Sequence, residues 1–327
     1  MMSVAGLTRL DSRPIPDGAG EIRAFLVVRN EALRLPATLQ HHREIGVDRF
    51  FVIDNGSTDD TRDLVNAAPD AHLFATAESY ADSNYGLTWT NRLLDEFAAD
   101  RWALTIDADE LFIYPHHETL ALPKLCEYLT RAGAQAVFCL LLDMYSDEPF
   151  GAAPYRAGAS MLDACPYFDA KGYRAIRVNR APFIEIYGGV RERVFRDLAD
   201  QGYLPPTVSK VPLVRWRKGL QYTIGTHCLA PPVLMSDIQA ALLHFKFLHD
   251  FPERARVEAE RGEHFDGARE YKAYHSLLEK TAPHTFMSDV TARFESSAQL
   301  LKLGLMRASD AYEAFCKANA LRPGGAT

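Results

Sequence analysis

Between residues 22 and 107 apolar strand-like runs alternate with helix-like segments, and this alternation restricts the fold more than any other feature of the chain. The runs are "IRAFLVVRN" (22–30), "RFFVIDNG" (49–56), "HLFATAE" (72–78) and "WALTID" (102–107). Between them, "ALRLPATLQHHREIG" (32–46) carries Leu35, Leu39 and Ile45 at helical spacing, with Pro36 in the first turn and Gly46 as a stop. "STDDTRDLVNAA" (57–68) opens on cap-type residues, and "YGLTWTNRLLDEFAADR" (85–101) reads as a third helix. Strands and helices in this rhythm predict βαβ units and a mostly parallel sheet. Ligands of such sheets bind outside the carboxyl ends of the strands. Those ends carry Arg29-Asn30-Glu31, Asp54-Asn55, Glu78 and Asp107-Ala108-Asp109-Glu110, so polar residues converge on one rim.

The bulk properties exclude several classes. A chain of 327 residues, 47% hydrophobic and 24% charged, suits one large α/β domain or two smaller ones. A net charge of −7 argues against a nucleic-acid binder. No apolar run approaches the roughly 20 residues of a membrane span, and the N-terminus lacks a signal-peptide core. The five cysteines show no C-x-x-C spacing and read as reduced thiols of a cytoplasmic protein. Neither a G-x-G-x-x-G nor a P-loop pattern follows the first strand, which removes most of the weight from dinucleotide and P-loop readings.

Three carboxylates, Asp107, Asp109 and Glu110, sit between apolar segments in "LTIDADELFIYP" (104–115). Acidic groups in such company need a partner. An Asp-x-Asp at a strand end suits a hard divalent cation, Mg²⁺ or Mn²⁺, whose shell substrate phosphates complete; the alternative is a solvated acidic loop. Asp54, inside "VIDNGSTDDT", is a candidate for a nucleotide base or ribose, or else a turn residue before the next helix.

The combination of "FLVVRNEALRLPATLQHHREIGVDRFFVIDNGSTDDT" with "WALTIDADELFIYP" resembles the nucleotide-sugar domain of the family 2 glycosyltransferases, in a bacterial branch with similarity to family 92. The resemblance covers roughly residues 22–250. It implies a GT-A fold: a Rossmann-like nucleotide half and an acceptor half in one mixed sheet. The expected organisation is a flexible leader (1–20), a GT-A domain (21–250, nucleotide half to about 115) and a C-terminal helical region (251–327). By the resemblance, Asp54 contacts base or ribose, and Arg29, Asn30 and Glu31 line the same pocket. Asp107 and Asp109 hold the ribose and the metal. One departure is that many members carry two adjacent Asp residues where this chain has Asp54-Asn55. Asn84 and Asn91 are lesser candidates.

In the second half, "AVFCLLLDMY" (136–145) predicts another strand. "YRAIRVNR", "FIEIYGGVRERVF", "VPLVRWR", "QYTIGTHCLA" and "AALLHFKFL" predict shorter ones. From Phe251 the chain reads helical, with a last long helix over about 288–320. His244 and Lys246 end the last apolar strand. GT-A enzymes often bring a late His to the metal and a Lys to the diphosphate, so His244 is the third metal candidate and Lys246 a phosphate ligand. A hydrogen-bonded core His is the alternative, and His227 competes. His41, His42, His116, His117 and His249 read as surface residues. An inverting enzyme needs a carboxylate to deprotonate the acceptor. Glu192, between Arg191 and Arg193, is the first choice, against a plain strand-edge ion pair, and Asp143 is the second. Arg191 or Arg193 would hold phosphate or an acidic acceptor, with Arg191 taken into the donor site. Tyr187 and Trp216 would stack on sugars, though lone aromatics are more often core.

The function expected is a metal-dependent glycosyltransferase using Mn²⁺ or Mg²⁺. It would move a sugar from a nucleoside-diphosphate donor, UDP-sugar first, to a saccharide or lipid-linked hydroxyl in surface polysaccharide or glycoconjugate synthesis. A lipid-linked acceptor would bring it to the inner face of the membrane. The alternatives are a sugar nucleotidyltransferase, a metal-dependent phosphoesterase and a non-catalytic sugar-binding relative. The first would want a Gly-rich basic loop after strand one, which "VVRNEALRLP" lacks.

Overall fold

The structure is a computed structural model that describes residues 3–4, 6–18, 20–177, 184–196, 205–280 and 285–319. The first half contains β1 (Ser3–Val4), β2 (Leu7–Arg9), β3 (Arg23–Val28), α1 (Leu35–Ile45), β4 (Arg49–Asp54), α2 (Thr61–Ala67), β5 (Ala71–Ala75), α3 (Leu87–Phe97), β6 (Trp102–Thr105), β7 (Glu110–Ile113) and α4 (Leu122–Arg131). The second contains β8 (Ala136–Asp143), α5 (Met161–Ala164), β9 (Tyr167–Asp169), β10 (Arg174–Arg177), β11 (Ile184–Tyr187), α6 (Gly189–Val194), β12 (Ser209–Arg215), β13 (Gln221–Ile224), β14 (Cys228–Ala230) and β15 (Met235–His244). It closes with α7 (Phe251–Arg261), α8 (Phe265–Lys280), β16 (Thr291–Arg293), α9 (Ser297–Lys302) and α10 (Asp310–Asn319).

Ten strands form one mixed sheet in the order β1-β2-β5-β4-β3-β6-β12-β8-β15-β7. The strands β5, β4, β3 and β6 run parallel. The chain winds outward from β3 to β5 and then returns to β6, so the order reverses between β3 and β6, which is where doubly wound sheets bind ligands. Beyond β6 the sheet becomes mixed: β12 is antiparallel to both β6 and β8, and β15 is parallel to β8 but antiparallel to β7. This is the layout the resemblance implies, a Rossmann-like half and a mixed half in one sheet.

Both faces of β3 and β4 are covered, which is why these strands are almost wholly apolar. Ala24, Leu26, Phe50 and Val52 join the core under α1 and α4. Their neighbours Phe25, Phe51 and Ile53 join the opposite core with Leu87, Trp89 and Leu93 of α3. Pro36 falls in the first turn of α1, and Gly46 closes that helix at φ 111°, where only glycine is unstrained.

Four expectations are corrected. The leader is not loose: β2 pairs with β5, and Leu7 is fully buried. Asp11 ties this segment down, accepting from Arg9 (2.8 Å) and the Leu73 amide (2.9 Å). The segment around "VRERV" is the helix α6 rather than a strand. The expected helix over 288–320 is instead β16, α9 and α10, broken where Gly304 takes φ 73°; residue 320 lies outside the described residues. His42, expected at the surface, is buried between the Thr38 carbonyl (2.7 Å) and the Phe112 amide (3.3 Å). All five cysteines are buried and free. No helix among the described residues is long and apolar enough to cross a membrane.

Candidate functional site

A cleft of about 530 Å³ opens at the carboxyl ends of β3, β6 and β15. Its floor is the turn between β6 and β7, which carries Asp107 and Asp109. Backbone bonds fix that turn: the Ile106 amide donates to Phe25 O (3.2 Å), and the Phe245 amide donates to Asp109 O (2.8 Å). The Thr38 hydroxyl of α1 donates to Ala108 O at 2.5 Å. The Asp-x-Asp is therefore anchored to three different elements.

Asp109 and His244 meet across the cleft. His244 Nε2 lies 3.5 Å from Asp109 Oδ2, while Nδ1 lies 2.5 Å from Asp143 Oδ1. Register explains the second contact, because His244 and Asp143 are partners on the parallel pair β15 and β8. Arg191 of α6 closes the chain, donating from Nε (2.8 Å) and Nη2 (3.0 Å) to Asp143. Burial opposes charge on all of them, yet the contacts win. The pKa of Asp109 is held well below normal by His244, that of Asp143 is lowered by Arg191, and that of His244 is raised by Asp109 and Asp143.

Asp107 is placed differently. Its side chain is exposed and accepts from Lys210 Nζ (2.7 Å), which also donates to Glu110 Oε1 (2.5 Å). Lys210 comes from the antiparallel β12. Burial and the nearby Asp107 push Glu110 up to about 7 against the pull of Lys210.

The third wall comes from α7 and α8, built on residues expected to lie outside the GT-A domain. Arg34, fully buried at the N-cap of α1, donates to both Asp250 oxygens (2.8 and 2.5 Å) at the start of α7. One turn on, Arg254 Nη2 pairs with Glu31 Oε1 at 2.6 Å. Tyr145, Phe247, Phe251, Tyr271 and Tyr274 pack these helices onto the sheet. Tyr80, Tyr85, His264 and Phe265 form an aromatic rim at the mouth, with Tyr85 and Phe265 edge to face at 5.6 Å.

Of the residues singled out from sequence, Arg29, Glu31, Asp107, Asp109, Tyr187, Arg191, His244 and Lys246 line this cleft. Lys246 is buried, 2.6 Å from Glu270 and against the Tyr271 ring. His227 lines it too; burial and Lys210 push its pKa down to about 4. Others lie elsewhere. The Asn30 side chain accepts from the Thr58 amide (2.7 Å). Asp54 is fully buried, accepting from the Gly56 and Ser57 amides (both 3.2 Å) and from Arg62 Nε (2.6 Å). Its neighbour Asn55 faces the cleft instead. Glu192 sits on α6 and pairs with Arg174 at 3.0 Å, outside the cleft, and Asp143 lies behind His244. Trp216 is core. Lys210, Arg254 and Glu185 were missed. The only sequence signal for Lys210 is a cation inside an apolar strand, which calls for a buried anion.

Among the described residues no three His, Cys, Asp or Glu side chains converge as a complete metal shell. What the cleft offers is a pair, one carboxylate and one imidazole whose far nitrogen is fixed by a second carboxylate. Metal-ligating histidines are usually held in this way. The pair fits Mn²⁺ or Mg²⁺ with the other positions left to substrate oxygens and water.

No protein-family model and no curated protein matches the chain. Among solved structures, the chain is similar to glucosyl-3-phosphoglycerate synthase of Mycobacterium tuberculosis in complex with Mn²⁺, UDP-glucose and phosphoglyceric acid, at 21% identity and a TM-score of 0.24. That match covers 39% of this chain and 45% of the synthase, so the chain spans less than half of the synthase's length. It is also similar to a 4-diphosphocytidyl-2C-methyl-D-erythritol synthase, at 14% identity and a TM-score of 0.28, over 57% of this chain and 87% of that one. Likeness at this level carries no argument about activity, and the fold assignment rests on the sheet order.

Proposed function

We propose that the chain is a metal-dependent glycosyltransferase resembling family 2 and its branch near family 92. It would transfer a sugar from a nucleoside-diphosphate donor, UDP-sugar first, to a hydroxyl acceptor. The observation that carries this reading is the Asp109–His244–Asp143 arrangement at the point where the sheet order reverses. Asp109 and His244 would hold the ion, which supplies charge stabilisation to the leaving diphosphate. Lys246 and Lys210 add fixed positive charge beside the same space. The aromatic rim and Asn55 offer a base-sized slot.

The acceptor's proton needs a carboxylate that faces the cleft. Glu185 of β11 does so, held by the Tyr187 hydroxyl at 2.6 Å. Glu185 is the base in this reading, ahead of Glu192 and Asp143. Inversion at the sugar is the stereochemistry such a base serves.

A nucleotidyltransferase would use free backbone amides after β3 to cradle phosphate. Here the amides of Asn30, Glu31 and Ala32 donate to Ser57 Oγ (2.9 Å), Thr61 Oγ1 (2.8 Å) and Asp59 Oδ2 (3.0 Å). They have nothing left to give a nucleotide. The test is incubation with a panel of nucleotide sugars, with and without Mn²⁺. Release of nucleoside diphosphate supports transferase chemistry, and formation of nucleoside triphosphate and sugar 1-phosphate when inorganic pyrophosphate is added refutes it.

A further inference from the structure

Arg254 reaches the cleft floor from α7, a helix expected to lie outside the GT-A domain. One edge of its guanidinium is anchored, with Nη2 2.6 Å from Glu31 Oε1. The other edge makes an ion pair but no hydrogen bond. Nη1 lies 3.7 Å from Asp109 Oδ2, beyond hydrogen-bond range, and has no hydrogen-bond partner; Glu31 Oε2 has none either. Leaving a buried donor without a partner is unfavourable, so such an atom usually awaits one. Asp109 Oδ2, which this donor faces, is also the oxygen nearest His244 Nε2.

We propose that Arg254 is a two-state arm. Without a bound ion it is the counter-ion of Asp109. When a divalent ion takes that oxygen, Arg254 stays anchored on Glu31 and donates Nη1 to the diphosphate of a nucleoside diphosphate. The second state rests on the glycosyltransferase reading, whereas the first rests only on Asp109 as a metal ligand. The geometry suits both. A cation beside Asp109 repels an incoming ion when no anion accompanies it. It attracts a diphosphate once the ion has replaced it, and guanidinium donors match phosphate oxygens well. The cleft would thus disfavour metal alone and favour metal with nucleotide.

The experiment compares the parent, Arg254→Gln and Arg254→Lys, each first checked for a parental circular-dichroism spectrum and melt. Mn²⁺ alone is titrated by electron paramagnetic resonance. Mn²⁺ with uridine, guanosine, adenosine or cytidine diphosphate is titrated by calorimetry. Expected for Arg254→Gln is about tenfold tighter binding of Mn²⁺ alone and about tenfold weaker binding of the Mn²⁺-dependent nucleotide. Arg254→Lys, which keeps the charge, should hold the Mn²⁺ affinity near parental and recover part of the nucleotide affinity. Affinities that move in the same direction, or do not move, overturn the proposal. If Mn²⁺ alone binds more tightly to Arg254→Gln but the parent binds no nucleoside diphosphate, the counter-ion state is supported and the donor reading fails.

Discussion

His244 lies between two carboxylates, its Nδ1 2.5 Å from Asp143 and its Nε2 3.5 Å from Asp109. The first contact fixes the ring, and the second leaves a nitrogen turned toward the carboxylate best placed to bind a metal. Asp143 is therefore a positioning residue in this account. Asp143→Asn keeps the shape but weakens the hold on the imidazole. It should lower Mn²⁺ affinity about 10- to 100-fold. Unchanged Mn²⁺ affinity in a folded Asp143→Asn protein would make the contact an ordinary buried ion pair.

The base assignment separates two glutamates seven positions apart in the chain. Glu185 faces the cleft and Glu192 faces Arg174. Glu185→Gln should slow sugar transfer at least about a hundredfold with donor binding intact, the usual contribution of a general base. Glu192→Gln should transfer at near-parental rate. Initial rates at saturating donor decide between them, and the reverse pattern would return the role to Glu192.

Asp54 should prove structural. Its carboxylate caps the turn at Gly56 and Ser57 and pairs with Arg62, away from the cleft. Asp54→Ala should cost about 2 kcal/mol of stability, the upper range for a lost cap, while the folded protein keeps its donor affinity. Donor affinity that falls while the denaturation midpoint stays put would restore the ligand role.

Much of the fold could be read from the sequence because its determinants are local. Pro36 and Gly46 bracket α1, and the apolar runs of β3 and β4 have the length of strands buried on both faces. The site was legible where it lies at strand ends, as with Asp109 and His244. It was not legible where distant segments meet. Lys210 reaches Asp107 and Glu110 only because β12 enters the sheet antiparallel beside β6, and Arg254 reaches Glu31 only because Arg34 clamps Asp250. The helix α6 was misread because its six residues are too few to form a helix unaided. Val190 packing and the Arg191–Asp143 pair supply what the local sequence lacks.

The N-terminal segment gives a pH-dependent prediction. Burial would raise the pKa of Asp11, but bonds from Arg9, His72 and the Leu73 and Arg13 amides outweigh it and hold it below the ordinary 3.8. A carboxylate lowered in the folded state stabilises above its unfolded pKa, and that contribution fades as pH falls through the folded value. Asp11→Asn should therefore be less stable than the parent by about 1–2 kcal/mol at pH 7, with the gap narrowing below about pH 4. Urea denaturation at both pH values measures it, and a gap independent of pH would contradict it.

The central claim is tested most directly by nucleoside-diphosphate release from nucleotide sugars, measured for the parent and for Asp109→Asn, each with Mn²⁺ and with a chelator. The account predicts release by the parent with Mn²⁺ only, and a loss of at least about a hundredfold in Asp109→Asn with its fold intact. Release that survives the chelator or the substitution, or none from any nucleotide sugar, would contradict it.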